Sequence, residues 1–278
     1  MMKAFLTLIS CSFFTTSYAS SFDEYCPTSK LRFQNVLEAS GMESTIETAV
    51  QLLDNPDSSK EEKYAALPML GCSKDDAYSI NLIAALDDSD RDIRGGAIIA
   101  MRYLRSEKTF PSLIEIITDK DEDENIRQIG SGTLSQIGGD NVEVALAIAE
   151  AARDTAQRPG TRFNHVFSLG RLTSRQSISE LHTFLDDSDP NVAASSAVAL
   201  AQHQIRAGVP YLVQAVLSPG TEYWMKMKAI RELERLTDRE FQFSSLGNTY
   251  VKELYEAAQA EVFDWFEANK HEYDQEIP

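Results

Sequence analysis

Long apolar segments are scarce in this chain, and so are proline and glycine. After residue 30 no stretch approaches the roughly 18 consecutive apolar residues that a membrane-spanning helix needs, so the sequence predicts no stable membrane insertion. Only 9 prolines and 13 glycines occur in 278 residues, and no low-complexity tract is present. At 43% hydrophobic and 25% charged residues, the chain has the composition of an ordinary globular protein.

Positive charge is also in short supply. Lysine and arginine number 26 against 43 acidic residues, which gives a formal net charge of −17. An acidic chain repels phosphate groups, so this balance argues against binding to nucleic acid or to an anionic membrane surface. The composition therefore disfavours these two classes of partner.

Catalytic and metal-binding motifs are missing as well. The four histidines form no His-Glu-x-x-His frame and no zinc spacing with cysteine, and no nucleophile elbow or phosphate-binding glycine loop occurs. Residues 119–125 imitate half of a calcium loop, but Glu124 replaces its glycine and Gly130 its closing glutamate. The sequence thus predicts no enzyme activity, no cofactor and no metal.

Cysteine is rare, and its first copy lies in a segment that predicts export. Residues 1–19 begin with Lys3, continue through an apolar core and end with the small residues Ser17 and Ala19. This layout is typical of a signal peptide cleaved after Ala19 and predicts a periplasmic or secreted protein. An alternative is lipid attachment at Cys11, although few residues precede it.

Cleavage would remove Cys11 and leave two cysteines, Cys26 and Cys72. An even pair in an exported chain predicts a disulfide between them. Two buried free thiols are the alternative that the sequence leaves open.

The phrase Leu-Asp-Asp-Ser-Asp occurs twice, beginning at Leu86 and at Leu185, 99 residues apart. Aligning the residues that follow reveals a period of 31 to 35 residues, which is typical of stacked supersecondary units. We call the aligned positions the mark residues: Leu70, Met101, Leu134, Leu169, Leu200 and Leu233.

Each period reads as two helices joined by an acidic turn. Apolar or small residues stand four and three residues before each mark, so each mark closes a helix with one packed face. Another amphipathic segment, the first helix of the pair, precedes each of these helices. Asp90, Asp123 and Asp189 stand where an aspartate caps the following helix. Such pairs must stack to bury their apolar faces, so the sequence predicts an all-α solenoid of about six helix pairs.

The pattern Asp90-x-x-Ile93-Arg94-x-x-Ala97-x-x-Ala100-Met101 resembles the HEAT repeat, especially the short bacterial variety of phycobilin-lyase-like proteins. The resemblance covers roughly residues 43–240 and implies a binding scaffold with the second helices on the concave face. Residues 20–42 are expected to hold an N-terminal cap helix, over 31–40. Residues 241–278 are expected to form a linker and a capping helix over about 249–270.

Basic residues stand seven residues before five of the six marks, and Ala193 takes the slot in the fifth repeat. We call these five residues the basic ladder: Lys63, Arg94, Arg127, Arg162 and Lys226. The prediction is that part of the ladder meets an acidic segment of a partner. The alternative is that each base pairs with an acid of a neighbouring turn. His165 also replaces an otherwise small residue and is either a site residue or a satisfied core histidine.

These observations predict an exported, monomeric, non-enzymatic scaffold that binds a protein. Two other functions stay open. One is an immunity-type inhibitor that neutralises a toxin in the periplasm, and the other is a lyase-like enzyme acting on a bound small ligand.

Overall fold

A computed structural model describes residues 22–38, 41–241 and 252–273. The described chain consists of helices and turns, with no strand among these residues. The expected signal peptide, Cys11 and most of the expected C-terminal linker lie outside them. The helices are α1 (Phe22–Glu38), α2 (Ile46–Asp54), α3 (Lys60–Gly71), α4 (Ser79–Ala84), α5 (Arg91–Leu104), α6 (Phe110–Thr118), α7 (Glu124–Ile137), α8 (Val142–Arg153), α9 (Pro159–Leu169), α10 (Arg175–Thr183), α11 (Pro190–Gln202), α12 (Val209–Leu217), α13 (Tyr223–Thr237) and α14 (Lys252–Asn269).

Twelve of these helices form six antiparallel pairs, from α2–α3, which is repeat 1, to α12–α13, which is repeat 6. The second helices α3, α5, α7, α9, α11 and α13 contact one another in chain order and form one layer of the stack. All six mark residues are fully buried between the layers. The expected all-α solenoid of about six pairs is therefore confirmed.

The second helices begin where the acidic turns predict. Asp90 accepts a hydrogen bond from the backbone N–H of Asp92, and Asp123 and Asp189 cap α7 and α11 in the same way. Pro190 occupies the first turn of α11, where a missing N–H costs nothing. Local sequence thus fixes the start of each of these helices.

Small residues let neighbouring second helices approach closely. A Cβ atom on Gly71 of α3 would lie 2.6 Å from the carbonyl oxygen of Ala100 in α5. A Cβ on Gly170, just after α9, would lie 2.5 Å from the Cβ of Ala199 in α11. Larger side chains at these two positions would push the repeats apart.

Capping helices cover both ends of the stack. Helix α1 begins nine residues earlier than expected and buries Phe33 and Leu37 against repeat 1. Helix α14 packs on α12 through the buried Ala258 and Val262, while Ala257 is exposed. No helix in the described part of the chain is long and apolar enough to span a bilayer.

The Cys26–Cys72 disulfide is present and joins α1 to the C-terminal end of α3. The two Cα atoms lie 5.7 Å apart, within the range that a disulfide bridges without backbone movement. The bond closes a loop across 46 positions of sequence and holds the N-terminal cap on the first repeat.

Breaking this bond is expected to destabilise the N-terminal cap. A closed loop of this length contributes about 4 kcal/mol on the chain-entropy model. We therefore predict that the Cys26→Ser/Cys72→Ser variant has a free energy of unfolding lower than the wild type by several kcal/mol in urea titrations. Equal unfolding midpoints for the oxidised wild type, the reduced wild type and the variant would contradict this role.

Candidate functional site

The middle of the basic ladder faces the interior. The Arg127 side chain is only 3% exposed, and its Nη1 donates to Oδ2 of Asp154 at 3.2 Å. Its Nε donates to the carbonyl oxygen of Ile117 at 3.0 Å. Burial alone would raise the pKa of Asp154, but the Ala156 backbone N–H and the Arg127 guanidinium hold it below its usual range. One guanidinium thus links repeat 3 to the turn of repeat 4.

Arg162 repeats this geometry one unit later. Its Nε donates to the carbonyl oxygen of Ala152 at 2.9 Å, and Nη1 and Nη2 donate to the two carboxylate oxygens of Asp187 at 3.2 and 2.5 Å. Arg162 therefore bonds a carbonyl oxygen of its own repeat 4 and a carboxylate in the turn of repeat 5.

The first two members of the ladder also pair within the chain. Lys63 Nζ lies 3.0 Å from Oδ2 of Asp88. Arg94 holds Glu122 through two hydrogen bonds of 2.6 and 2.8 Å. Lys226 is buried in the last repeat, and this burial lowers its pKa.

Four of the five ladder residues pair with an acid of a neighbouring turn, which supports the internal-pairing alternative over contact with a partner for these four. The reason lies in helix geometry. Seven residues make about two turns of an α-helix, so the ladder position lies on the same buried face as the mark residue.

His165 is a satisfied core histidine. Its ring is fully buried, with Nδ1 2.7 Å from the Ser131 hydroxyl and Nε2 3.1 Å from Oε1 of Gln157. Burial and the nearby Arg127 charge lower its pKa to about 3. The side chain therefore links repeats 3 and 4 as a neutral ring and is not available as a site residue.

The free surface of the second-helix layer is concave in repeats 4 to 6. Phe163 of α9 and Trp224 of α13 have ring centroids 5.3 Å apart, and Phe167 and Trp224 are 6.3 Å apart. Helix α11 separates α9 from α13 in the layer, and the contact between rings two repeats apart fits a layer that curves inward. The residues of α11 are mostly alanine and serine, which leaves room for this contact.

Cations cluster around this aromatic bridge. The Lys228 ammonium lies 4.2 Å from the Phe167 ring centroid and 5.4 Å from that of Trp224, a cation–π arrangement. Arg231 follows on α13, Arg171 follows α9, and Arg102 of α5 extends the series toward repeat 2. We call these four residues the concave cations: Arg102, Arg171, Lys228 and Arg231.

The concave cations of different repeats repel one another electrostatically. Desolvation lowers the pKa of Lys228, and the charges of Arg171 and Arg231 lower it further. Desolvation also lowers the pKa of Arg102, and Arg171 adds to this effect. Lys228 is accessible to water, so its desolvation reflects the protein walls that surround a side chain in a concave surface.

Within the described residues, no carboxylate forms an ion pair with any of the four concave cations. Twelve other lysine and arginine side chains there do pair with an acid, at both buried and exposed positions. Mutually repelling, partly desolvated cations make a surface that gains free energy when an anion binds.

The sequence analysis singled out the basic ladder and missed the concave cations. The concave cations could have been found from their angular positions around the helix axis relative to the buried mark residue. Trp224, Lys228 and Arg231 stand nine, five and two residues before Leu233, which places them on the side of α13 opposite that buried mark.

No metal-binding group is evident in the described ranges, where no three histidine, cysteine or acidic side chains come together. The acids of the calcium-like segment have structural roles instead. Asp123 caps α7, and Glu122 pairs with Arg94.

The fold defines an α-solenoid of stacked helix pairs. Residues 46–129 and 79–163 match the family model described as HEAT repeats, so the chain contains HEAT repeats over this region. Comparison with curated proteins gave no match.

Among solved structures, the chain is similar to the complex of CpcE and CpcF of phycocyanin lyase from Nostoc. The identity is 17%, the TM-score is 0.46, and the match covers 82% of this chain and 96% of the other. It is also similar to human deoxyhypusine hydroxylase in complex with glycerol, with 14% identity, a TM-score of 0.32, and coverage of 89% and 98%.

Removing a buried member of the ladder is expected to cost stability. Arg127→Ala leaves the Asp154 carboxylate and the Ile117 carbonyl without their donor, which costs about 3 kcal/mol for a buried pair. The matched control is Arg91→Ala, because Arg91 pairs with Asp123 at 2.9 Å but is 56% exposed, and exposed pairs contribute about 0.5 kcal/mol. Chemical denaturation measures both variants. Equal losses in the two would contradict the structural role of Arg127.

The buried His165 predicts a pH-dependent stability. Its folded-state pKa of about 3 lies below the ordinary value of 6.5, so between these values the unfolded chain binds the proton and the folded chain does not. The stabilisation is complete above pH 6.5 and falls as the pH drops toward 3. From pH 7 to 5 the histidine alone should remove about 2 kcal/mol.

The His165→Gln variant, which carries no titrating ring at this position, is the control for that loss. The difference in free energy of unfolding between wild type and variant should therefore shrink by this amount over the same pH range. A difference that stays constant with pH would contradict the assignment.

Proposed function

We propose that this protein is an exported, non-enzymatic binding scaffold whose concave face receives an acidic segment of a partner protein. The observation that carries the proposal is the set of concave cations, none of which forms an ion pair with an acid in the described chain although acids exceed bases by 17 overall. HEAT repeats mediate protein interactions, and the matched region supplies part of this concave layer.

Two features support a protein ligand at this surface. The concave cations extend over repeats 2 to 6, a length that suits an extended polypeptide better than a small anion. The adjoining Phe163, Phe167 and Trp224 rings add an apolar contact, and aromatic anchors of this kind carry much of the energy of protein interfaces.

Export is part of the proposal and rests on two supports. The first is the basic, apolar and small-residue layout of residues 1–19. The second is the Cys26–Cys72 disulfide, because disulfides persist in oxidising compartments.

Charge reversal on the concave face tests the binding function. The chain from Ser20 onward, immobilised and exposed to periplasmic extract, should capture a partner in a salt-sensitive manner. The Arg171→Glu/Lys228→Glu variant should lose most of this capture, and its melting temperature should fall only slightly, since both side chains are exposed and only the contact of Lys228 with the aromatic rings is removed.

Lys120→Glu/Arg175→Glu is the matched control, because it makes the same change of net charge at two exposed positions outside the concave face. It should capture the partner as the wild type does. Undiminished capture by the Arg171→Glu/Lys228→Glu variant, or an equal loss in the control, would overturn the proposal.

A further inference from the structure

The ladder is interrupted in repeat 5, and both halves of the pair are missing there. In the four preceding repeats the acid stands 25 to 28 residues after the base: Lys63 and Asp88, Arg94 and Glu122, Arg127 and Asp154, and Arg162 and Asp187. The same interval after Ala193 spans residues 218–221, Ser-Pro-Gly-Thr, which contain no acid.

This double loss coincides with a pocket of about 280 Å³ between repeats 5 and 6. Ala193 lines one side, and Ser218 and Thr221 of the next turn line the other. The pocket is therefore the space that a ladder side chain and its acid fill elsewhere. It has room for a side chain and is smaller than the pockets that hold drug-sized ligands.

The walls of the pocket are rich in hydrogen-bond acceptors. Thr221 is 5% exposed, and in the described structure its buried hydroxyl has no hydrogen-bond partner. Asp186 and Asp187 also line the pocket. Asp187 is paired with Arg162, whereas no ion pair with Asp186 occurs in the described ranges. A buried hydroxyl and an unneutralised carboxylate together favour a ligand with several N–H donors and a positive charge.

We propose that this pocket binds an arginine side chain of a partner protein, which takes the place of the absent ladder residue. Repeats 3 and 4 show the arrangement, since Arg127 and Arg162 each place a guanidinium between neighbouring repeats. The planar guanidinium offers five donors to separate acceptors, whereas a lysine ammonium offers three from one point. The pocket shares no residue with the concave cations, so it is a second contact region, independent of the first.

The test uses the full mature protein and two peptides, N-acetyl-Gly-Arg-Gly-amide and its lysine counterpart, titrated into the protein with NMR detection of backbone amides. The arginine peptide should shift the signals of Ser218 and Thr221 and should bind more tightly than the lysine peptide. The Arg171→Glu/Lys228→Glu variant should give the same titration as the wild type.

Two variants localise the binding. Ala193→Arg supplies the missing side chain from within and should abolish the shifts. Asp186→Asn should weaken binding about threefold, the size of one exposed ion pair, and its exposed position leaves folding intact. Asp121→Asn, an exposed aspartate in another turn, should have no effect. Equal affinity for the two peptides, absence of shifts at Thr221, or equal weakening by Asp186→Asn and Asp121→Asn would overturn the proposal.

Discussion

The ion pair between a buried base and the turn of the next repeat is the interaction on which the stack depends. Arg127 and Arg162 each bond a carbonyl oxygen at the end of their own first helix and a carboxylate one repeat further on. The acids have a second role, because the Asp88, Asp154 and Asp187 carboxylates also accept a backbone N–H within their turns. Each pair therefore fixes both the shape of a turn and the position of the neighbouring repeat.

This interaction divides the basic residues of the chain into two groups. Those on the buried face of the second helices hold the repeats together and are unavailable to a partner. Those on the opposite face, such as Lys228 and Arg231, form no ion pair with a carboxylate in the described structure, although Glu232 lies close enough to oppose the desolvation that lowers the pKa of Lys228. The overall acidity of the chain therefore conceals a locally cationic, aromatic-lined surface. The pocket at Ala193 has the opposite polarity, because its described lining residues include hydrogen-bond acceptors and no basic side chain.

Local signals were sufficient to predict most of the fold from the sequence. The mark residues, the capping aspartates and the small residues before each mark identified the second helices and their order. The N-terminal cap helix was predicted too short. Helix α1 begins at Phe22 and runs through Pro27, although proline normally disfavours a helix interior.

The candidate site was harder to predict, for a physical reason. The ladder was misassigned because its regular spacing was considered without the angular position of each ladder residue around the helix, which places it on the same face as the buried mark residue. The contact between Phe163 and Trp224 depends on the curvature of the whole layer, which the sequence of one repeat does not specify. To predict the pocket at Ala193, one must know the number of residues that separates each base from its acid, and this interval is known only from the paired side chains of the other repeats.

The most direct measurement of the central claim is zero-length carbodiimide crosslinking of the complex, which joins a lysine ammonium to a carboxylate that it touches. Mass spectrometry should find Lys228 joined to an aspartate or glutamate of the partner, with the yield falling as salt is added. Crosslinks concentrated at exposed lysines elsewhere, such as Lys108 and Lys120, with none at Lys228, would contradict the account.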